Sequence, residues 1–199
     1  MLRELITGTA LACAVGPTFG AQPLRPPRWP VHAVITVWLD ARTAPPGAGA
    51  LVERALTTWT RAADGRFVLQ KTASADAALV RVRFAQANGI YGETAPRIDR
   101  ATGAIRSAAV LIAGDVAGDA LQQRIVIYLT ALHELGHALG LPHTGAFDDI
   151  MYSFRRPDDG ERYFGAYRRR LRSSEDIGTE RAAGLSPADL GALRALYDR

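Results

Sequence analysis

Apolar positions recur along this chain with two periods, and the change from one to the other marks its elements. Val31–Leu39 is β-branched and apolar in rough alternation, which predicts a strand. Pro45-Pro46-Gly47 breaks the chain. Leu51, Ala55, Leu56 and Trp59 then fall at helical spacing and predict an amphipathic helix over Ala50–Ala63. Asp64-Gly65 ends it, and Phe67–Gln70 follows as a short strand. In Leu79–Phe84 the apolar Val80, Val82 and Phe84 alternate with Leu79, Arg81 and Arg83, the pattern of a half-buried strand. Gly89–Ala95 and Ala108–Ala113 are two more strands, joined through turn residues Asp99, Thr102 and Gly103. Gly114–Asp119 reads as a loop. The period then lengthens, and Leu121–Leu139 predicts a long apolar helix. Ser186–Tyr197 closes the chain as another, with Ser186 as N-cap, Pro187 at the first position and Asp189 near the positive end. Ahead of these elements Gln22–Pro30 carries four prolines and reads as an extended arm. There is no internal repeat. Strands come first and helices after, which predicts one α+β domain around a mixed sheet.

Composition agrees with one globular domain. The 199 residues are 48% hydrophobic and 22% charged, which excludes a disordered, collagen-like or coiled-coil chain. A single cysteine excludes a disulfide scaffold and a cysteine-rich zinc module. No apolar run reaches the roughly 20 residues of a membrane-spanning helix. The net charge of +4 is mildly basic, and Lys71 is the only lysine among 24 basic residues. That arginine bias reads as compositional, and no nucleic-acid partner is expected without arginines gathered on one face.

Residues 1–20 differ from the rest. Arg3 and Glu4 lead into the apolar Leu5–Val15, followed by Gly16-Pro17 and small residues around Phe19, the three-part pattern of a secretory signal. Export to the periplasm or medium is therefore expected, with cleavage after Gly20 or Ala21. Cys13 lies inside this segment, and a lipid-anchor reading of Leu11-Ala12-Cys13 is the alternative.

Chemistry concentrates in the long helix. His133 and His137 stand four residues apart on one helical face, about one metal ion apart. Glu134 is turned enough to reach a water on that metal without ligating it. At Gly140 the helix must stop, since glycine takes the left-handed turn cheaply. Leu141-Pro142 then leads to His143, which can fold back as a third nitrogen ligand. Three nitrogens and a water make the open tetrahedral site of a catalytic zinc. Three of the four histidines lie in this string, whereas ordinary core histidines would be scattered.

The string His133-Glu134-Leu135-Gly136-His137-Ala138-Leu139-Gly140-Leu141-Pro142-His143 resembles the long zinc motif of the metzincin metalloproteases. Thr144 after the third histidine resembles the matrixin branch. Asp149-Ile150-Met151-Tyr152 resembles that branch's Met-turn. Weaker likeness extends over Ala55–Trp59 as a first helix, Ala75–Phe84 as a third strand, and Leu185–Leu190 with Leu196-Tyr197 as a C-terminal helix. The resemblance implies an α+β metzincin-like fold over residues 31–199: a twisted mixed sheet, an active-site helix, and a small C-terminal subdomain from about residue 141. It implies a zinc endopeptidase in which His133, His137 and His143 hold Zn2+, Glu134 is the general base and Met151 is a structural floor. It also implies that a peptide adds to the edge strand Gly89–Ala95 with Tyr91 reaching the cleft. The segment after the Met-turn would then wall the specificity pocket with Tyr152, Phe154, Arg155 and Arg156. Asp115 and Asp119 could ligate a structural Ca2+, or serve simply as a turn and a helix cap.

This sequence also departs from the family. No prodomain with a zinc-capping cysteine is evident, and only His32 lies outside the motif, so a second zinc site is not expected. Ser153 stands where proline is common. Residues 155–181 hold eight arginines interleaved with six acids. A solvated loop or an exposed helix accounts for that mixture; the sharper expectation is a cleft rim favouring acidic side chains. The expected partner is a protein or peptide substrate, met by a monomer. The alternatives are a zinc amidase acting on cell-wall peptides, and a non-catalytic binding module on the same fold.

Overall fold

The computed structural model describes residues 26–198, so the signal expected over residues 1–20 and the start of the proline arm lie outside the described residues. Five strands form one sheet: β1 (Ala33–Leu39), β2 (Phe67–Lys71), β3 (Val80–Ala85), β4 (Gly92–Ile98) and β5 (Ile105–Ala113), in the order β2-β1-β3-β5-β4. The pairs β1/β2, β1/β3 and β3/β5 are parallel, and β4 alone runs antiparallel, on β5 at the sheet's edge. The mixed α+β architecture read from the sequence is the one observed.

Strand alternation decides which face is covered. Ile35 and Val37 of β1, Val80, Val82 and Phe84 of β3, and Val110 and Ile112 of β5 are buried on one face. Arg81 and Arg83 stay exposed on the other. The inner face receives α1 (Ala48–Ala63) and α2 (Ala120–Ala138). The two helices meet at Trp59, which is fully buried and donates its indole N–H to the Leu132 carbonyl (2.8 Å). Burying an aromatic of that size stabilises by about 3 kcal/mol, and the indole N–H keeps a partner.

Helix α2 ends as the glycine at 140 foretold. The amides of Gly140 and Leu141 donate to the carbonyls of His137 and Gly136 at 2.9 and 3.0 Å, a paired C-terminal closure that needs a left-handed residue between them. Gly140 supplies it with φ 96°, and a Cβ there would collide with the Pro27 carbonyl. That turn sends the chain back toward the histidine face of α2.

Three differences from the sequence reading have clear causes. The described part of the proline arm is packed. Trp29 is 2% exposed and donates its indole N–H to the Ala138 carbonyl (2.8 Å), while Arg28 donates to the Leu196 carbonyl. Strand β1 starts at Ala33 because His32 turns the chain with φ 63°. Within the arginine-rich stretch, α3 (Asp159–Arg168) forms where no element was assigned. Gly160 and Gly165 and the arginines mask its pattern, but Phe164 and Tyr167 are buried from it. Two short 3-10 turns, Ser174–Asp176 and Glu180–Ala182, lead to α4 (Pro187–Tyr197), which starts at its predicted cap with Ser186 accepting from the Asp189 amide.

Candidate metal centre

The last turns of α2 present His133 and His137 toward one point, and the turn at Gly140 brings His143 to it. The Nε2 atom of His143 lies 3.2 Å from that of His133 and 3.1 Å from that of His137. The outer nitrogens decide the tautomers. His133 Nδ1 lies 2.6 Å from the Ile150 carbonyl and His137 Nδ1 2.9 Å from the Leu141 carbonyl. A carbonyl only accepts, so each Nδ1 carries the hydrogen and each Nε2 keeps its lone pair for the shared point.

A cation between them would satisfy those lone pairs. A tetrahedral zinc with Zn–N bonds of about 2.0–2.1 Å holds its ligand nitrogens about 3.3 Å apart, close to the spacing found here. Burial, with repulsion from the neighbouring imidazoles, holds His133 down to about 3; burial likewise brings His137 to about 4 and lowers His143. All three are thus neutral at pH 7, the form that binds a metal. Among the described residues these three are the one group of His, Cys, Asp and Glu side chains with the geometry to hold an ion. Asp115 and Asp119 do not form a second. Asp115 accepts from the Ala87 amide, while Asp119 caps α2 through the Gln122 amide and is clamped by both Arg168 nitrogens at 2.8 and 2.9 Å. The calcium expectation has no support in this arrangement, because the Asp119 oxygens are committed to protein donors.

Glu134 is 5% exposed and lines the same pocket as His133 and His143. Burial pushes its carboxyl up to about 7, against the stabilising hydrogen bond from Thr94. Strand β4 passes close over it. A Cβ on Gly92 would sit 2.7 Å from the Glu134 Cγ, and the Thr94 hydroxyl lies 2.7 Å from Oε2.

The register of β4 says what its outer edge offers. The Ala113 amide donates to the Tyr91 carbonyl, so residues 91, 93, 95 and 97 turn their polar groups toward β5. Gly92, Thr94 and Pro96 therefore turn theirs outward, to the free edge. Gly92 and Thr94 present both an N–H and a C=O there; Pro96 has only its C=O. The edge strand was expected at Gly89–Ala95, and it forms at Gly92–Ile98 after a turn at Gly89.

Two recesses flank the centre. One is lined by Tyr91, Leu129, Ile150, Tyr152, Phe154, Tyr163 and Phe164 together with His133, Glu134 and His143. Tyr91 meets the Phe164 ring edge-on at 5.0 Å and the Phe154 ring at 6.0 Å. The other runs along Thr94, Pro96 and Ile98 past His137, Leu141 and Pro142.

Of the residues named for the cleft, Tyr91, Tyr152 and Phe154 line this recess, and Arg155 and Arg156 do not. Buried Asp159 draws in their backbone amides at 2.8 and 3.0 Å, along with the Tyr152 hydroxyl at 2.8 Å. Both arginines are exposed, and the Arg155 guanidinium lies beside Gly145. Arg162 stacks on Phe147 at 5.0 Å.

Met151 is 2% exposed beneath α2. Its turn is held by residues that sequence reasoning took only for a helix cap. The Ile150 amide donates to Asp189 Oδ2 (2.8 Å), and Ser186 donates to Asp149 Oδ1 (2.7 Å). Thr94, Gly92, Tyr163 and Phe164 were likewise missed. Their only sequence signals were a glycine and a threonine two apart in an edge strand, and adjacent aromatics in an arginine-rich stretch.

Residues 40–164 match the family model described as matrixin. No curated protein matches the chain. Among the described residues no helix is long and apolar enough to cross a membrane.

Proposed function

From the premise that the chain belongs to the matrixin family of zinc-dependent metallopeptidases, we propose that it is an endopeptidase in which Glu134 is the general base. The observation that carries this reading is the meeting of three converging imidazole nitrogens and a buried carboxyl under a free strand edge. When bound by His133, His137 and His143, zinc supplies a Lewis acid that acidifies a water and polarises a carbonyl.

The chain's own groups do the rest. An extended peptide pairs with the outward N–H and C=O groups of Gly92 and Thr94, as an added strand. Its scissile bond then crosses the histidine cluster. One neighbouring side chain enters the recess walled by Tyr91, Tyr152, Phe154 and Phe164, which is apolar enough to favour an apolar group. Glu134, poised near neutral pH, accepts a proton from the attacking water and returns it to the leaving nitrogen. No side-chain nucleophile is needed. Met151 packs under the site and touches no substrate. Export, supported by the pattern of residues 1–20, and a monomeric state complete this reading.

A diverse peptide library incubated with the zinc-loaded protein tests it. Internal cuts that disappear with a chelator and return with zinc are the expected result. Cutting confined to the amide bonds of cell-wall peptides would move the assignment to an amidase. Absence of any cut would leave a binding module.

A further inference from the structure

We propose that Thr94 is a positioning residue for Glu134, fixing the carboxylate of the base from the same strand that receives the peptide. The inference rests on the general-base reading of Glu134 given above.

The Thr94 Oγ1 atom lies 2.7 Å from Glu134 Oε2 and 2.9 Å from the Glu134 backbone oxygen. A hydroxyl has one hydrogen, so it donates to one of these at a time. While Glu134 is a carboxylate it can only accept, and Thr94 donates to Oε2. The same oxygen reaches the Glu134 backbone carbonyl, so one side chain ties the carboxylate to the backbone of its own residue. A buried carboxylate without such a donor would be an unpartnered acceptor.

The proton count closes without Thr94. Water's oxygen forms the new bond to the carbonyl carbon, and its proton passes to Glu134. The carbon–nitrogen bond breaks, and the proton passes on to the leaving nitrogen. Thr94 keeps its own hydrogen throughout.

Position on the strand gives the contact its use. Thr94 turns its side chain toward α2 and its backbone N–H and C=O to the free edge. A peptide that pairs with this edge therefore docks on the residue that fixes the base. Two residues back on the same face, Gly92 leaves the space in which Glu134 lies: a Cβ there would come within 2.8 Å of Oε1. One position thus clears room for the carboxyl and the next on that face grips it. Thr94 is half-buried at the sheet's edge and outside the apolar core.

The test compares Thr94→Val and Thr94→Ala, which lack the hydroxyl, with Thr94→Ser, which keeps it. The hydroxyl-free variants should lose about tenfold or more in kcat, with KM within about twofold, because misplacement of a catalytic group is felt in the transition state. Thr94→Ser should restore kcat to within about threefold of wild type. Zinc content and affinity for an uncleavable reduced-amide peptide should match wild type in all three, while the hydroxyl-free variants should melt a few degrees lower because the buried carboxyl loses a hydrogen bond. A kcat within twofold of wild type in both hydroxyl-free variants overturns the proposal. So does Thr94→Ser impaired as much as Thr94→Val, which would mark lost packing. A wild-type protein that cleaves no peptide overturns the function itself and this role with it.

Discussion

Met151 seats its sulfur against the bare backbone of Gly136, one residue before the second helical histidine. A Cβ on Gly136 would overlap the Met151 Sδ and come within 3.2 Å of the Trp59 ring. The methionine under the centre therefore depends on a missing side chain in the motif above it. Gly136→Ala should cost about 1–3 kcal/mol by overpacking, although alanine is the better helix former. Chemical denaturation measures this. A Gly136→Ala protein as stable as wild type would show that the Met-turn yields freely.

The third ligand is the one brought in by a turn. His143 reaches the centre only through the closure at Gly140, whereas His133 and His137 share a rigid helix. His143→Ala should reduce zinc affinity by more than the roughly 10–100-fold that loss of an outer-shell partner costs. Competition with a chelator of known affinity reads this out. Unchanged zinc retention would remove His143 from the ligand set.

Replacing Glu134 separates chemistry from binding. Glu134→Gln keeps the shape and can still take the Thr94 hydrogen bond, but it cannot accept a proton. Zinc content should stay at wild-type level while kcat falls by about 10²–10⁴. Near-normal turnover by this variant would mean that another group serves as base.

Acid should unfold the metal-free protein before it unfolds the zinc form. His133 and His137 titrate at about 3 and about 4 in the fold, below the ordinary 6.5. Between these values the unfolded chain binds more protons, so their contribution is complete above pH 6.5 and is lost as pH falls toward 4. Glu134 has the opposite sign. Its folded value of about 7 exceeds the ordinary 4.5, so its contribution is present below 4.5 and fades as pH rises through 7. The histidines outnumber it, and the melting temperature in chelator should rise from pH 4.5 to about 6.5. Bound zinc competes with those protons and should move the acid limb to lower pH. Coincident melting curves with and without zinc would contradict this.

Arg155 and Arg156 should not select acidic substrates. Asp159 holds their amides, and their side chains leave the pocket wall. The double change Arg155→Ala/Arg156→Ala should alter the ratio of kcat/KM for acidic and neutral peptides by less than about twofold, since exposed charges outside the recess lining are screened. A preference for acidic peptides that vanishes with salt or with this change would place both guanidiniums at the rim after all.

Most of the elements and the candidate metal-binding histidines were legible in the sequence because local rules govern them. Four-residue spacing puts His133 and His137 on one face whatever surrounds the helix, and Gly140 marks its end because only glycine takes that turn at no steric cost. Alternation of Val80, Val82 and Phe84 with Arg81 and Arg83 needs no knowledge of what covers the strand. Element boundaries slipped by a few residues where a turn intervened, as at His32. Contacts between segments distant in the chain were decided only by the tertiary fold. Thr94 meets Glu134 across 40 positions, and Asp189 holds the Ile150 amide across 39. Asp159 acts over only four positions to hold the Arg155 amide, but it does so because folding buries its carboxylate, which must then find donors. Local spacing selects which atoms can bind a metal. Burial decides the charge on Glu134, which neighbour holds it, and which side chains face the peptide.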